Sequence, residues 1–241
     1  MSISRTRLDR FISERLSINR RDVRLLVAQR RIQVDGRPAS AINQVIDRFS
    51  QICFDDEVLQ SEQPTYIKFH KPTGVVSATE DPVHKTVIDL IDHPKADQLH
   101  IVGRLDYNTT GLMLLTNNGH WSRQLTLPGS KVEKHYRVTL QNPITDDYAA
   151  AFAEGMYFPF EDITTAPAQL TLIDEFTADV VLTEGKYHQI KRMFGRFRNP
   201  VVALHRSAIG ELTLANENDD LDTGEWRELT LREKAVLDGS T

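Results

Sequence analysis

His100-Ile101-Val102-Gly103-Arg104-Leu105-Asp106-Tyr107-Asn108-Thr109-Thr110-Gly111-Leu112-Met113-Leu114-Leu115-Thr116-Asn117-Asn118-Gly119 sets two apolar runs on either side of a polar loop bracketed by Gly103 and Gly111. The runs read as strands at 99–102 and 112–116. A loop so placed presents its side chains from a rigid sheet, where functional residues concentrate. Arg104 and Asp106 are two apart, so an extended backbone points both the same way. On these residues alone the Asp106 carboxylate could be a nucleophile, a base, a metal ligand or a turn former, and Asp-x-Asn-Thr-Thr-Gly favours a turn.

Outward from this segment the chain reads as short strands with helices inserted. Further strands are expected at 65–69, 74–78, 134–140, 168–173, 178–183, 201–206 and 210–214. Helices are expected at 85–92, 120–126, 145–154, 187–197 and 230–237, and the polar acidic run 216–223 as a loop. Without regular βαβ alternation this is an α+β fold on a mixed, largely antiparallel sheet with flanking helices. Upstream, Leu8, Phe11, Ile12 and Leu16, then Val23, Leu26 and Val27, follow helical spacing, with Ser17 and Asn19 as turn or N-cap residues. Ile32-Gln33-Val34 runs into Asp35-Gly36, a hairpin signal, and Ile52-Cys53-Phe54 is a further strand. The polar run Gln60-Ser61-Glu62-Gln63-Pro64 reads as a linker, so domains are expected at 1–60 and 61–241.

The 241 residues are enough to bury a core without staples. A single cysteine, Cys53, excludes an intrachain disulfide and a cysteine zinc cluster, and its apolar setting predicts a buried, inert thiol. No stretch approaches a membrane span and Met1–Arg7 lacks the apolar run of a signal peptide, so a cytoplasmic protein is expected. Net charge is −5, which alone argues against nucleic acid. Yet residues 1–40 hold ten arginines (5, 7, 10, 15, 20, 21, 24, 30, 31 and 37) against four acids (9, 14, 22 and 35), a surplus of six that leaves −11 for the other 201 residues. A basic module on an acidic body follows. Arginine grips phosphate bidentately, although a merely solvated basic face fits the same charges.

Two later blocks read in more than one way. Tyr136 in Glu133-Lys134-His135-Tyr136-Arg137-Val138 is a sheet-face aromatic, with Val138 and Leu140 on its side. In Glu184-Gly185-Lys186-Tyr187-His188-Gln189-Ile190-Lys191-Arg192-Met193-Phe194, the residues Ile190, Met193, Phe194 and Phe197 form an apolar stripe. Lys191, Arg192, Arg196 and Arg198 are left for solvent or phosphate.

Taken together, Gly103-Arg104-Leu105-Asp106, Thr109-Thr110-Gly111-Leu112 and Leu115-Thr116-Asn117-Asn118-Gly119 resemble the signature of the rRNA pseudouridine synthases, in the branch that modifies the small ribosomal subunit. Phe69-His70-Lys71-Pro72-Thr73-Gly74 is similar to the family's Asn-Lys-Pro-x-Gly entry, with His70 for asparagine. The Tyr136 strand, the helix block, Val201-Val202-Ala203-Leu204-His205-Arg206 and Gly224-Glu225-Trp226-Arg227 extend the match. The resemblance implies that Asp106 is the catalytic carboxylate, that Arg104 approaches the RNA and that Tyr136 stacks on the target uracil. It further implies that Lys191, an arginine in many relatives, pairs with Asp106, that Leu204 and Thr110 line the pocket, and that Arg192 touches RNA.

Residues 7–59 resemble the S4-type RNA-binding module, which implies RNA contacts for Arg7, Arg10, Arg20 and Arg21. Asn19-Arg20 stands for the usual Ser-Arg there, and Arg30 or Arg31 for the usual glycine before the strand. The implied activity is isomerisation of one uridine in 16S rRNA, or in a small-subunit assembly intermediate, by a monomer without cofactor or metal. Three other readings compete. A glycosidase ordinarily sets two carboxylates across one bond, and the loop offers only Asp106. A non-catalytic RNA-binding or assembly factor would not need Asp106, Tyr136 and Lys191 together. The same reaction on 23S rRNA is the remaining alternative.

Overall fold

The computed structural model describes residues 5–216 and 219–239. The chain divides into two compact units, residues up to 64 with 118–120, and residues 65–117 with 121 onward. In the first, β1 (Thr6–Arg7) leads into α1 (Leu8–Leu16), followed by α2 (Arg20–Ala28). Ser17 ends α1 at a left-handed φ of 54°. Asn19 caps α2, its Oδ1 accepting from the N–H groups of Arg21 (2.9 Å) and Asp22 (3.0 Å). β2 (Ile32–Val34) and β3 (Arg37–Pro38) form a hairpin at Asp35 and Gly36, whose φ values of 52° and 74° match a type I′ turn. β4 (Val45–Ile46) pairs with β1, while β5 (Ile52–Phe54) and β6 (Glu57–Gln60) complete a sheet of order β3-β2-β5-β6. Leu8, Ile12 and Val23 pack on Ile32, Ile46 and Ile52 as this unit's core. Cys53, expected to be buried, is only half-buried: it alternates with the core residue Ile52 and so faces away from the helices.

From residue 65 onward the elements are β7 (Tyr66–Lys71), β8 (His100–Val102), β9 (Thr110–Thr116), α3 (Gly119–Thr126), β10 (Lys134–Leu140), α4 (Asp147–Glu154), β11 (Tyr157–Phe158) and β12 (Ile163–Thr164). They continue with β13 (Gln169–Leu172), β14 (Thr177–Leu182), α5 (Gln189–Gly195), β15 (Val201–Ile209), β16 (Leu212–Thr213), β17 (Ala215–Asn216), β18 (Asp219–Asp220), β19 (Trp226–Glu228) and α6 (Leu231–Leu237). Among the described residues a nine-stranded sheet runs β13-β14-β10-β15-β9-β7-β19, with β16 beside β15 and β8 beside β9. Every pairing in it is antiparallel except β9 with β15, which run parallel through His205↔Thr110 and Arg206↔Gly111. No helix among the described residues is long and apolar enough to cross a membrane.

The continuous apolar run of β9 is explained by cover on both faces. Leu112 and Leu114 join Trp121 and Leu125 of α3, whereas Met113 and Leu115 join Ile67 and Phe69 of β7 and Val87. A third cluster packs Phe152 of α4 and Phe194 of α5 against Val138 and Val180 of the sheet.

Four expectations are corrected. Residues 74–78 form no strand, because Gly74 adopts a φ of 76° and Ser77 turns its hydroxyl onto the backbone of Leu105. The helix expected at 85–92 is a single 3-10 turn, Ile88–Leu90: Thr86 and Asp89 bond each other's backbone and Pro94 lies just beyond. The helix expected at 187–197 begins only at Gln189, since His188 takes a left-handed φ of 46°. The acidic loop expected at 216–223 includes a short ladder, Asn216 with Asp219 and Ala215 with Asp220; Glu217 and Asn218 lie outside the described residues. Strand β19, pairing Trp226 with Phe69, was not foreseen.

Candidate active site

The loop between β8 and β9 is held at each turn by a different element. Ser77 Oγ donates to the Leu105 carbonyl at 2.5 Å and accepts from the Leu105 N–H at 3.1 Å. Gly74 N–H donates to the Tyr107 carbonyl at 3.0 Å. Lys71, wholly buried at the end of β7, donates Nζ to the carbonyls of Pro72 (2.9 Å), Thr109 (3.0 Å) and Tyr107 (3.4 Å). Arg206 on β15 donates Nε to the Leu112 carbonyl (2.7 Å) and Nη2 to the Gly103 carbonyl (3.1 Å). Gly111 sits where three strands converge, and a Cβ there would overlap the backbone of Arg206.

This bracing separates two roles that the sequence left mixed at Asp106. The turn is closed by the backbone, Thr109 N–H donating to the Asp106 carbonyl at 3.0 Å. The carboxylate meets side chains instead. Lys191 Nζ lies 2.9 Å from Oδ2 and His188 Nε2 lies 3.3 Å from Oδ1. Both partners come from the start of α5, and the left-handed backbone of His188 turns its ring toward the loop.

Asp106 opens into a cavity of about 90 Å³, walled by Arg104, Tyr136, Leu182, Ile190, Lys191 and Leu204. The wall is apolar on the side of Leu204 and Ile190, both buried, and cationic on the side of Lys191 and the exposed Arg104. Lys71, behind the loop, is pushed down to about 8 by burial, with Asp106 opposing that shift and Arg206 and Lys191 adding to it. Thr109 also lines the cavity, and its buried hydroxyl has no hydrogen-bond partner among the described residues.

Of the residues singled out from sequence, Asp106, Arg104, Tyr136, Lys191 and Leu204 converge on this one cavity. Thr110 does not: its hydroxyl lies 2.9 Å from His205 Nδ1, because β9 has begun there and alternation turns it from the loop, leaving Thr109 in the wall. Arg192 is not in the wall either. Its guanidinium bonds Glu161 at 2.6 Å and stacks over Phe158, one position round the helix from Lys191. In the N-terminal unit Arg7 pairs with Asp9 (2.7 Å) and Arg10 with Glu14 (2.9 Å), while Arg20 and Arg21 are exposed at the start of α2. Sequence reasoning gave no role to Lys71, His188 or Arg206, although each lies within one of the motif blocks.

The family model for RNA pseudouridylate synthase matches residues 65–195, the span that carries Asp106, Tyr136 and Lys191. The chain belongs to the RNA pseudouridylate synthase family. Among curated relatives of this synthase, ribosomal small subunit pseudouridine synthase A of Pseudomonas aeruginosa is 48% identical, over 94% of this chain and 98% of the relative. The Escherichia coli K12 protein of the same name is 40% identical, covering 96% and 99%. A crystal structure of a pseudouridylate synthase superposes with a TM-score of 0.68 at 38% identity, covering 96% of this chain and 99% of the other.

Proposed function

We propose that this synthase isomerises one uridine of 16S rRNA to pseudouridine, with Asp106 as the catalytic carboxylate. The observation that carries the reading is the Asp106 carboxylate, freed from its turn, held by Lys191 at 2.9 Å and opening into a base-sized cavity beside Tyr136. The small-subunit assignment is supported by the names of the full-length relatives.

In the reaction the bond from ribose C1′ to uracil N1 breaks and the base rotates. A bond from C1′ to C5 forms, C5 gives up its proton and N1 takes one. Asp106 acts on the ribose, either as a nucleophile at C1′ or by removing a ribose proton. Lys191 holds the carboxylate in place by charge pairing at 2.9 Å. Tyr136 stacks on the base, Leu204 packs near it and Arg104 holds it out of its stack, offsetting an extrusion cost of a few kcal/mol. We assign the N-terminal unit as an S4-type module in which Arg20 and Arg21 meet phosphate; Arg7 and Arg10 would first exchange their acidic partners for it. The protein acts as a monomer in the cytoplasm on 16S rRNA or a small-subunit assembly intermediate, without a cofactor.

The test is a gene deletion followed by carbodiimide modification and primer extension of the rRNA. One pseudouridine should vanish from 16S rRNA and return with the wild-type gene. Loss from 23S rRNA instead would refute the small-subunit assignment.

A further inference from the structure

Beside the base cavity lies a chamber of about 860 Å³ that shares Arg104, Asp106, Tyr136 and His188 with it. The two are continuous along one face of the sheet. On β15, Leu204 and Arg206 are two apart; on β10, so are Tyr136 and Lys134, and Tyr136 pairs with Arg206. The face therefore passes from apolar to cationic within roughly 6.6 Å, the rise of two strand residues.

Arg206 is only 3% exposed, an unusual setting for a guanidinium. Two of its nitrogens are spent on backbone carbonyls, and Nη1 meets no acceptor among the described residues. Lys134, in the same wall, gives Nζ to the Val132 carbonyl at 2.6 Å, and burial together with Arg206 presses it toward its neutral form. No described carboxylate forms an ion pair with either cation. The two acids in the wall are otherwise engaged, Asp106 with Lys191 and Glu184 with Lys186 (2.6 Å). Two desolvated cations without a counter-charge are relieved by an anion with several acceptor oxygens.

The chamber also carries an aromatic surface. Tyr187 is 75% exposed, yet its ring stacks on His188 at 3.8 Å between centroids and 21° between planes. The phenol thus has one face fixed against the residue that touches Asp106 and leaves the other free for a planar partner. A flat base and a phosphodiester are the outer parts of one nucleotide, joined through its ribose.

We infer that this chamber is a subsite for the nucleotide flanking the target uridine, in which Tyr187 stacks on the base and Arg206 with Lys134 holds the phosphodiester. The inference rests on the proposed reading of the chain as a uridine isomerase acting on RNA. It places one neighbour of the target within the site, so that sequence and backbone next to the uridine contribute to its selection.

The test measures binding of the full chain to an RNA fragment spanning the modified uridine, with an abasic residue introduced in turn on each side of that uridine. On one side the abasic change should weaken wild-type binding about five- to tenfold, the scale of one lost base stack. Tyr187→Ala should weaken binding of the intact fragment by the same factor and then be indifferent to the abasic change. Lys134→Met should lower the slope of binding against salt by about one. Tyr187→Ala binding the fragment like the wild type, or an abasic penalty undiminished in that variant, would overturn the subsite. So would inorganic phosphate competing as strongly as RNA, which would mark a free-phosphate site. Pseudouridine formation by the wild-type protein on the same fragment is scored separately, and its absence would count against the proposed function without touching the binding comparison.

Discussion

The ammonium of Lys71, shielded from solvent, donates to the carbonyl of Thr109 at 3.0 Å and so fixes the loop that carries Asp106 from beneath. Its charge lies near Asp106 but its hydrogen bonds go to backbone, which makes it a positioning residue. Four residues contribute to that bracing, Lys71, Gly74, Ser77 and Arg206, and Lys71 is the part of it that titrates.

Lys71→Met should cut turnover about 100-fold, the scale of an ångström's misplacement, while substrate binding changes less. The pH dependence is more specific. Burial holds Lys71 at about 8 against an ordinary 10.5, so between those values the unfolded chain carries the extra proton. Stability contributed by this group therefore rises with pH from about 8 to about 10.5, and below 8 it gives no slope. Urea unfolding at pH 7, 9 and 10.5 should show wild type gaining on Lys71→Met as pH increases. A constant difference would mean that Lys71 titrates normally.

Asp106→Asn keeps the shape of the loop and should lower activity by on the order of 10⁴-fold or more, as when a residue central to the chemistry is removed. Lys191→Met should lose about 100-fold, since one charge partner of the carboxylate is gone. Lys191→Arg should recover most of that loss. Single-turnover pseudouridine formation on 16S rRNA checks the order; equal loss in the methionine and arginine variants would contradict charge pairing as the role of Lys191.

Much of the site was legible because its residues lie in segments whose pattern is local. β10 spans the residues that alternation marks, 134–140, and the two-apart placement of Arg104 and Asp106 does put both in one wall. What was not legible depends on contacts distant in sequence or on backbone torsions. His188 reaches Asp106 only because a non-glycine residue adopts a φ of 46°, which no composition signals. The role of Arg206 emerges only from β15 lying beside β9, where its guanidinium donates to two backbone carbonyls. Thr109 takes the place expected of Thr110 for the same reason: β9 begins at Thr110, two residues before the expected strand, and alternation turns that side chain away from the loop.

Thr109→Val removes a buried hydroxyl that makes no bond among the described residues, so thermal stability should hold or rise by up to about 1 kcal/mol. A loss of stability would reveal a partner for that hydroxyl. A loss of activity at unchanged stability would instead assign the hydroxyl to the bound substrate.

Gly111→Ala should be among the most damaging single-methyl changes in the chain. The residue has a φ of 111° and its added Cβ would meet the Arg206 backbone, so strain and overlap act together. A cost of roughly 3 kcal/mol or more is expected, read as a lower urea midpoint with unchanged slope.

The parallel contact of β9 with β15 joins residues about 95 positions apart through two residue pairs, and Asp106 precedes the first strand while Lys191 precedes the second. Contacts of such long range carry a high loop-closure entropy and form late. During synthesis the chain can therefore assemble β7, β8 and β9 long before it can be active. The pair of Asp106 with Lys191 is complete only when β15 docks beside β9 and joins the two halves, so the site is assembled in one late step of folding.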